Sequence, residues 1–335
     1  MNGSAAVNAT TAMEVTRHSM LYKGVNRTFV RASHGDQAEA LLVVLHWLGS
    51  TGTAMLQTAL ALNLSTRVTY VAPDGLWLSW NGGECCGAAM EAGEDDVGFV
   101  SALIVALLAE DAAPSRVLLL GNSNGAYLAS RVALSPRPWA LERVVLVAGC
   151  TSDEAAFASA RAPVAVLQVH SAQDAMVRFD GCCAEHPCCC SVRDSPRCVA
   201  IPALFSGWAR LNGCQSGASS VERRGPYACS VAEGCGAAAR TEMCVHPSAS
   251  HSLWSHRDLP TLAVVRAFLD AAVSTPAPPL LPLPTLPPSP KSEGGSIVAA
   301  AVLLVACVLL SIALLRRAMR AGTVAAYAPL DTTTR

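Results

Sequence analysis

A serine in a glycine-flanked turn is the best candidate nucleophile of this sequence. Ser123 lies in the run Gly121-Asn-Ser-Asn-Gly125, which follows an apolar, strand-like stretch and precedes a helix-forming stretch. In a strand–turn–helix of the form G-x-S-x-G, the glycines leave room for a sharp turn that exposes the serine hydroxyl. The N–H of Asn124 would then lie at a helix N-terminus, where it can stabilise an oxyanion. The same pattern also occurs in ordinary loops, so the flanking elements carry the prediction.

A serine nucleophile needs a base to take its proton and an acid to orient that base. In folds with this turn, acid and base follow the serine in that order, each after a strand. Asp174 comes directly after the apolar run 164–170 and is the predicted acid, with a solvated turn aspartate as the alternative. Asp180 and Asp194 are weaker candidates because no strand precedes them.

The predicted base is His251, in the loop between the apolar run 242–245 and the last predicted helix. His246 and His256 flank it in sequence and are the alternatives. A histidine in a loop is more often a surface residue, so its order and placement after a strand carry this prediction.

The second oxyanion donor is expected in the loop that follows the strand predicted at 40–46. This loop contains Gly49 and Gly52, which suit a backbone that must approach a substrate. We assign the backbone N–H of Leu48 to this role.

Short apolar runs alternate with longer helical stretches, which predicts a doubly wound α/β sheet. Strands are expected at 40–46, 67–72, 116–120, 143–148, 164–170 and 242–245, and helices at 96–108, 126–134, 201–212 and 259–272. The central runs are continuously apolar, as is typical of parallel strands covered on both faces. The sequence therefore predicts a mostly parallel central sheet with helices on both faces.

The composition bounds the classes of partner. The chain has 335 residues, 52% of them hydrophobic and 15% charged, with a net charge of −1. A near-zero net charge gives no basic surface for nucleic acid and no acidic tail for a basic partner. The predicted serine chemistry requires neither a cofactor nor a metal.

The C-terminal part of the chain departs from a globular composition. Residues 275–295 are rich in proline and predict an extended stalk. Residues 296–315 carry no charge, and twenty residues at about 1.5 Å each match a hydrocarbon core of about 30 Å. They predict a transmembrane helix, with a buried core helix as the alternative. Residues 316–335 begin with arginines and predict a cytoplasmic tail.

This orientation places the preceding domain outside the cell or in a lumen. Four Asn-x-Ser/Thr triplets agree with it and are candidate N-glycosylation sites: Asn2, Asn8, Asn26 and Asn63. Residues 1–40 contain no apolar signal-peptide core. Either the N-terminus is incomplete, or the protein is tail-anchored with its domain in the cytosol.

The 14 cysteines favour an oxidising compartment. One of them, Cys307, lies in the predicted span, and many of the other 13 crowd into 182–198 and 214–244. Such a density predicts disulfides. Because 13 is odd, at least one cysteine of the domain is expected to be a free thiol or to pair with another chain. A zinc site with His186 is the alternative, but runs of adjacent cysteines fit zinc poorly. Residues 181–244 are expected to form a stapled, loop-rich insertion.

Several segments together resemble secreted esterases of the polyhydroxybutyrate depolymerase and feruloyl or acetylxylan esterase group. They are Pro73-Asp-Gly75, Trp80-Asn81, Cys85-Cys-Gly87, Asp95-Asp-Val-Gly-Phe99, Gly121–Gly125, Val169–Asp174, Asn212-Gly-Cys214 and His251. The resemblance covers roughly 25–270. It implies an α/β-hydrolase fold, with Ser123, Asp174 and His251 matching that group's catalytic triad.

The sequence departs from that group at three places. Trp47 stands where the group has glycine in the oxyanion loop, and its bulk is expected to limit the backbone and crowd the acyl site. The glycine-rich approach to the base is Ser248-Ala-Ser-His251 here. The segment that follows the base is His251-Ser-Leu-Trp254.

The sequence thus predicts a membrane-anchored, extracellular serine carboxylesterase, in which residues 1–23 are disordered and 24–274 form the esterase domain. The resemblance implies feruloyl or acetyl esters of polysaccharides, or polyhydroxyalkanoate-type polyesters, as substrates. A catalytically inactive binding or adhesion module on the same fold is the alternative, and Trp47 motivates it.

Overall fold

The apolar runs of the sequence form the middle of one twisted sheet. The computed structural model describes residues 13–33, 38–64, 68–83, 85–110, 113–151, 157, 160, 163–181, 199–236, 239–254 and 259–273, which belong to one compact unit. The strands are β1 (Glu14–Tyr22), β2 (Val25–Ser33), β3 (Ala40–Leu45), β4 (Val68–Pro73), β5 (Arg116–Asn122), β6 (Arg143–Val147), β7 (Ala165–Ser171), β8 (Ser219–Arg224), β9 (Tyr227–Ala232) and β10 (Thr241–His246). The helices are α1 (Gly52–Leu60), α2 (Ala88–Glu91), α3 (Asp96–Leu108), α4 (Asn124–Leu134), α5 (Ile201–Leu211) and α6 (Leu259–Val273).

The strand order within the described residues is β1-β2-β4-β3-β5-β6-β7-β10-β9-β8. Strands β4, β3, β5, β6, β7 and β10 run parallel to one another, and the strands at both edges are antiparallel. The predicted mostly parallel sheet is confirmed. Because parallel strands all end on one side, their carboxyl ends bring distant loops together.

Helices cover both faces of the sheet, and the alternation of side chains along a strand explains how. In β3, Leu41, Val43 and Leu45 belong to the apolar cluster that includes residues of α3, α4 and α5, whereas Leu42 and Val44 belong to the cluster that includes residues of α1 and α6. Successive side chains of a strand point to opposite faces, so a strand covered on both sides is apolar throughout.

The expectation of a disordered segment over 1–23 is wrong for residues 14–22. These residues form β1, which pairs with β2 through the turn Lys23-Gly24, where both φ angles are positive. Tyr22 and Lys23 donate to the Asp95 carboxylate, which also accepts from the Gly98 N–H and caps α3. The strand was missed because most of its side chains are exposed and mark no apolar run. Residues 1–12 lie outside the described part.

The expectation of a loop-rich insertion over 181–244 is also wrong for its described part. Residues 199–236 and 239–244 contain α5, β8, β9 and β10, and β10 is paired with β7 in the main sheet. Two disulfides staple this region, Cys214–Cys235 and Cys229–Cys244, as the cysteine content predicts. The exposed, polar sequence of β8 hides its strand character. The cysteines and His186 of 182–198 lie outside the described residues.

Among the described residues, no helix has the length and apolar character needed to cross a membrane. The predicted stalk, span and tail at 275–335 lie outside these residues.

Candidate active site

The turn between β5 and α4 places Ser123 in a sparsely populated backbone conformation. Its φ of 53° and ψ of −119° are unusual for a residue with a side chain. The backbone N–H of Ser123 donates to the Val147 carbonyl at 2.8 Å, which ties the turn to β6. Strain of this kind persists only where the surroundings enforce it, and it is characteristic of functional sites.

The two glycines of the turn are required by close backbone approach. A Cβ at Gly121 would lie 2.2 Å from the Gly125 carbonyl oxygen, and one at Gly125 would lie 2.2 Å from the Leu45 carbonyl oxygen. Both contacts are with backbone, which cannot rotate away. The G-x-S-x-G pattern is therefore a packing requirement of the strand–turn–helix.

The structure brings Ser123, His251 and Asp174 into one hydrogen-bonded array. The Ser123 Oγ and His251 Nε2 are 2.9 Å apart, and His251 Nδ1 is 2.8 Å from Asp174 Oδ2. Because a carboxylate only accepts, Nδ1 carries the proton and Nε2 is left to accept from the serine hydroxyl. This tautomer is the one that a general base for Ser123 requires.

Asp174 is buried, and backbone groups hold its other oxygen. Its Oδ1 accepts from the N–H groups of Met176 and Val177, at 2.9 and 2.8 Å. Burial works to raise the pKa of this carboxyl, but the hydrogen bonds from His251 and Val177 outweigh it, so the pKa is lowered. The carboxylate therefore stays ionised at neutral pH and can stabilise a charged imidazole.

His170, for which the sequence pattern predicts no role, lies beside the acid. Its Nε2 donates to the Val177 carbonyl at 2.8 Å and lies 3.6 Å from Asp174 Oδ2. The residue is fully buried, and burial lowers its pKa, so the ring is neutral. It fixes the loop that holds the carboxylate. Its position at the end of a buried strand, four residues before Asp174, was the available signal.

The loops carrying the acid and the base come from neighbouring parallel strands. In the pairing of β7 with β10, His246 lies opposite Ser171. Beyond it, Ser171 Oγ donates to the Ala249 carbonyl at 2.5 Å and the Ala172 N–H donates to the His246 carbonyl at 2.9 Å. These bonds explain why His251, which is 77 residues from Asp174 in sequence, lies within hydrogen-bond distance of its carboxylate.

The alternative candidates have other environments. The Nδ1 of His246 accepts from the N–H groups of Ser248 and Ala249, so this ring stabilises the turn before the base. Asp180 is exposed. Asp194 and His256 lie outside the described residues.

A buried tryptophan joins the two loops expected to form the oxyanion hole. The side chain of Asn124 accepts from the Trp80 N–H at 2.7 Å and donates to the Trp80 carbonyl at 2.9 Å. The Trp80 indole N–H donates to the His46 carbonyl at 3.0 Å. Asn124 begins α4, so its own N–H has no acceptor within the helix. Trp80 thus fixes the spacing between the elbow and the loop after β3.

His46 anchors the other end of this loop. Its Nε2 accepts from the Gly75 N–H at 2.9 Å, so Nδ1 carries the proton and donates to the Trp47 carbonyl at 2.8 Å. Burial lowers the pKa of His46, and the ring is neutral. Leu48 follows, and the Gly49 N–H donates to the Leu78 carbonyl at 2.8 Å. The predicted donor Leu48 therefore lies in a loop held on both sides.

The Trp47 side chain is partly buried and packs against the hydrophobic cluster on the α1–α6 face of the sheet. The crowding of the acyl site expected from this residue stays a prediction.

Other predicted sites fall outside the array. Asn26 and Asn63 are exposed, and Asn2 and Asn8 lie outside the described residues. Within the described part of the chain, no group of three or more His, Cys, Asp or Glu side chains could hold a metal ion.

The sheet order, the elbow after the central strand β5, and the order Ser123, Asp174, His251 together define an α/β-hydrolase-like fold. No protein-family model and no curated protein matches the chain.

Solved structures similar to this chain include esterase PE8, with a TM-score of 0.47, 16% identity, and coverage of 70% of this chain and 94% of that chain. A cold-adapted esterase from an Arctic intertidal metagenomic library matches with a TM-score of 0.49 and 15% identity over 81% of this chain and 98% of that chain. The Pyrococcus furiosus esterase Pf2001 matches with a TM-score of 0.47 and 11% identity over 78% and 93%. The fold assignment rests on the strand order and the elbow of this chain.

Proposed function

We propose that the protein is a serine hydrolase that cleaves carboxylic esters through an acyl-enzyme. The observation that carries this proposal is the continuous array from Ser123 through His251 to Asp174, with contacts of 2.9 and 2.8 Å. A hydroxyl bonded to the unprotonated nitrogen of a histidine, whose other nitrogen faces a buried carboxylate, is an activated nucleophile.

In the acylation step, Ser123 Oγ attacks the ester carbonyl while His251 Nε2 accepts its proton. The Asp174 carboxylate stabilises the imidazolium that forms. The tetrahedral intermediate collapses with cleavage of the bond to the alcohol oxygen, and His251 returns the proton to that oxygen. In the second step, water gives a proton to His251, attacks the acyl-enzyme and releases the carboxylic acid, and the proton returns to Ser123.

The negative charge of each tetrahedral intermediate needs donors that are already in place. We assign this role to the backbone N–H groups of Asn124 and Leu48. The bonds that hold Trp80 between Asn124 and His46 support this assignment, because they keep both loops rigid. Preorganised donors of this kind contribute about 10²–10³-fold each to turnover. The mechanism uses no cofactor and no metal.

Two further proposals concern the substrate of the protein and its location in the cell. The resemblance to the polyhydroxybutyrate depolymerase and feruloyl or acetylxylan esterase group motivates feruloyl or acetyl polysaccharide esters, or polyesters, as substrates. The composition of 275–335 motivates a single membrane span with the esterase domain outside the cell or in a lumen. The disulfides Cys214–Cys235 and Cys229–Cys244 support an oxidising compartment.

Fluorophosphonate labelling of the full chain tests the enzymatic function. Such probes react with an activated serine in an oxyanion hole and need little of the natural substrate. We expect the probe to label the wild type and the control variant Ser206→Ala, in which an exposed serine on α5 is replaced. We expect no labelling of Ser123→Ala. Labelling that survives in Ser123→Ala would contradict the proposal.

A binding or adhesion module without catalysis is the second candidate, and Trp47 in the oxyanion loop is the observation that favours it. This candidate expects no labelling of a folded, disulfide-bonded protein, and it expects Ser123→Ala to keep the full biological activity. Hydrolysis of any ester that depends on Ser123 would exclude it.

Membrane anchoring is tested by extraction of membranes with alkaline carbonate. The full chain is expected to stay in the membrane pellet, whereas a chain ending at 274 is expected in the supernatant. Treatment with an N-glycosidase tests the side of the membrane, because a mobility shift that is lost in Asn26→Gln and Asn63→Gln requires a lumenal domain. A non-reducing gel tests the proposed intermolecular disulfide.

A further inference from the structure

A turn beside the oxyanion loop holds two bulky residues in the left-handed backbone region. Trp77 has φ 51° and ψ 36°, and Leu78 has φ 57°. Glycine and asparagine adopt such angles readily, whereas large side chains there are genuine outliers. Two in succession cost free energy that the rest of the fold must offset.

Packing in the core does not offset the cost of this strained backbone for either side chain. Trp77 is 59% exposed and Leu78 is 48% exposed, and both are among the large apolar residues that the described surface presents to solvent. Burial of apolar area is the usual gain from such side chains, and here it is only partial. Strain combined with exposure points to a role outside folding.

Hydrogen bonds fix the turn firmly. The Ser79 N–H and Oγ both contact the Leu76 carbonyl at 3.1 Å, and Ser79 Oγ accepts from the Ala89 N–H at 3.0 Å. At the start of the turn, the Gly75 N–H donates to the buried His46 ring. The conformation is therefore imposed by its surroundings.

The turn is continuous with the proposed active site. The Leu78 carbonyl accepts from the Gly49 N–H at 2.8 Å, directly after Leu48, which we assign as an oxyanion donor. Leu48 is 39% exposed, and its side chain shares the space beside Gly87 with Ser79, since a Cβ added at Gly87 would lie 2.8 Å from Leu48 Cδ1 and 2.9 Å from Ser79 Cβ. We call these three exposed apolar residues, Leu48, Trp77 and Leu78, the apolar rim, because they lie on the oxyanion loop and on the turn that is hydrogen-bonded to it.

We propose that this apolar rim binds an apolar group of the ester, an aromatic ring or an alkyl chain, and so determines substrate class. The inference rests on the proposed function. An ester whose carbonyl is bound by the backbone N–H groups of Leu48 and Asn124 lies beside this loop, and we expect one of its substituents to contact the exposed apolar residues there. Contact with them removes apolar area from water and favours apolar esters over acetyl or methyl ones.

The test compares the specificity constants kcat/KM of three esters, methyl butyrate, methyl octanoate and benzyl butyrate. The octanoate to butyrate ratio reports an apolar acyl group, and the benzyl to methyl ratio reports an apolar alcohol. The variants are Trp77→Gly and Leu78→Gly, because glycine relieves the strained angles and removes the side chain together. Leu21→Ala is the matched control, since Leu21 is an exposed leucine on the edge strand β1.

We expect one of the two ratios to fall about tenfold in Trp77→Gly through a higher KM for the apolar ester, while its Tm stays equal or rises. Leu21→Ala is expected to leave both ratios unchanged. Loss of a side chain that contributes only to folding would lower Tm without changing either ratio. The Tm and the ratios together therefore distinguish a role in substrate binding from a role in stability.

The outcomes distinguish this inference from the proposed function. If fluorophosphonate labels Ser123 and the esters are hydrolysed, but both ratios stay within twofold of the wild type, the proposed role of the apolar rim in substrate binding is wrong. The proposed hydrolase function is then unaffected. A lower Tm with unchanged ratios also contradicts a role of the apolar rim in substrate binding. If the wild type neither labels nor hydrolyses any ester, the proposed function fails and the inference fails with it.

Discussion

Single buried residues set the protonation states on which the proposed chemistry depends. Asp174 stays ionised because its hydrogen bonds outweigh its burial, whereas His46 and His170 stay neutral because burial disfavours their charged forms. The carboxylate can therefore orient His251 and stabilise its charge, while the two neutral rings act as fixed donors and acceptors for backbone groups. Each of these roles is testable by a substitution that keeps shape and changes one property.

Asp174→Asn is expected to lower kcat about 10⁴-fold while the protein stays folded. An amide at this position favours the wrong histidine tautomer, which leaves Nε2 protonated and unable to accept from Ser123. Steady-state kinetics with a short ester measure the loss. Asp180→Asn, at an exposed aspartate in the same loop, is the control. A loss of less than tenfold would show that Asp174 does not orient the base.

The stability of the protein is expected to fall as pH drops below 6.5. An unfolded histidine binds a proton near pH 6.5, whereas burial lowers the pKa of folded His46 and His170. The unfolded state therefore binds more protons in this window, and each histidine lowers the free energy of unfolding by up to about 1.4 kcal/mol per pH unit. Above pH 6.5 this contribution is constant.

Urea unfolding between pH 5 and 8 measures this slope. His170→Gln is the matched variant, because its amide can still donate to the Val177 carbonyl but does not titrate. We expect the slope below pH 6.5 to become shallower in this variant. An unchanged slope would show that His170 contributes nothing to the pH dependence.

At the scale of elements, the site depends on how the elbow and the loop after β3 are held together. Trp80 does this with three hydrogen bonds, two to the Asn124 side chain and one to the His46 carbonyl. Asn124 thus has two roles, since its side chain holds Trp80 while its backbone N–H is the proposed oxyanion donor. A general hydrolase fold becomes a working site only if such contacts fix the spacing of the donors.

Trp80→Phe is expected to lower kcat about tenfold or more with little change in KM. The variant keeps most of the buried ring but loses the indole N–H that fixes the His46 carbonyl, so the Leu48 donor is less well placed. Trp139→Phe is the matched control, because the Trp139 indole donates to Ser101 Oγ at 3.0 Å away from the array. Equal kinetic losses in both variants would contradict a positioning role for Trp80.

For the whole molecule, the disulfide Cys229–Cys244 supports the strand pair from which the base loop starts. Cys229 and Cys244 face each other across the antiparallel pair β9 and β10, and both are fully buried. The loop that carries His251 follows β10 directly. Covalent support of this strand pair therefore couples global stability to the position of the proposed base.

Replacing both Cys229 and Cys244 with serine is expected to lower the free energy of unfolding by about 3 kcal/mol, the amount typical for a closed loop of about 15 residues. Urea unfolding of the oxidised proteins measures the change, and the Cys214 and Cys235 double variant provides a comparison further from the base loop. We expect the first variant to lose more activity than the second. Equal activities would show that the β9–β10 disulfide does not support the base loop.

The sequence by itself determined the central part of the fold and the order of the candidate residues. Continuous apolar runs mark the buried parallel strands. Two glycines mark the elbow, because a Cβ at either position would lie 2.2 Å from a backbone oxygen. These are local signals, since they depend on the burial of one segment or the geometry of one turn. Edge strands such as β1 and β8 lack them because most of their side chains face solvent.

Only the tertiary structure decided which histidine meets the serine, and which residues hold them in place. Ser123 and His251 are 128 residues apart, and their contact follows from the pairing of parallel strands, which no local pattern encodes. The same holds for the His46, Trp80 and Asn124 bonds and for the exposed Trp77. Their roles follow from neighbours distant in sequence and from a backbone conformation that the surrounding fold imposes.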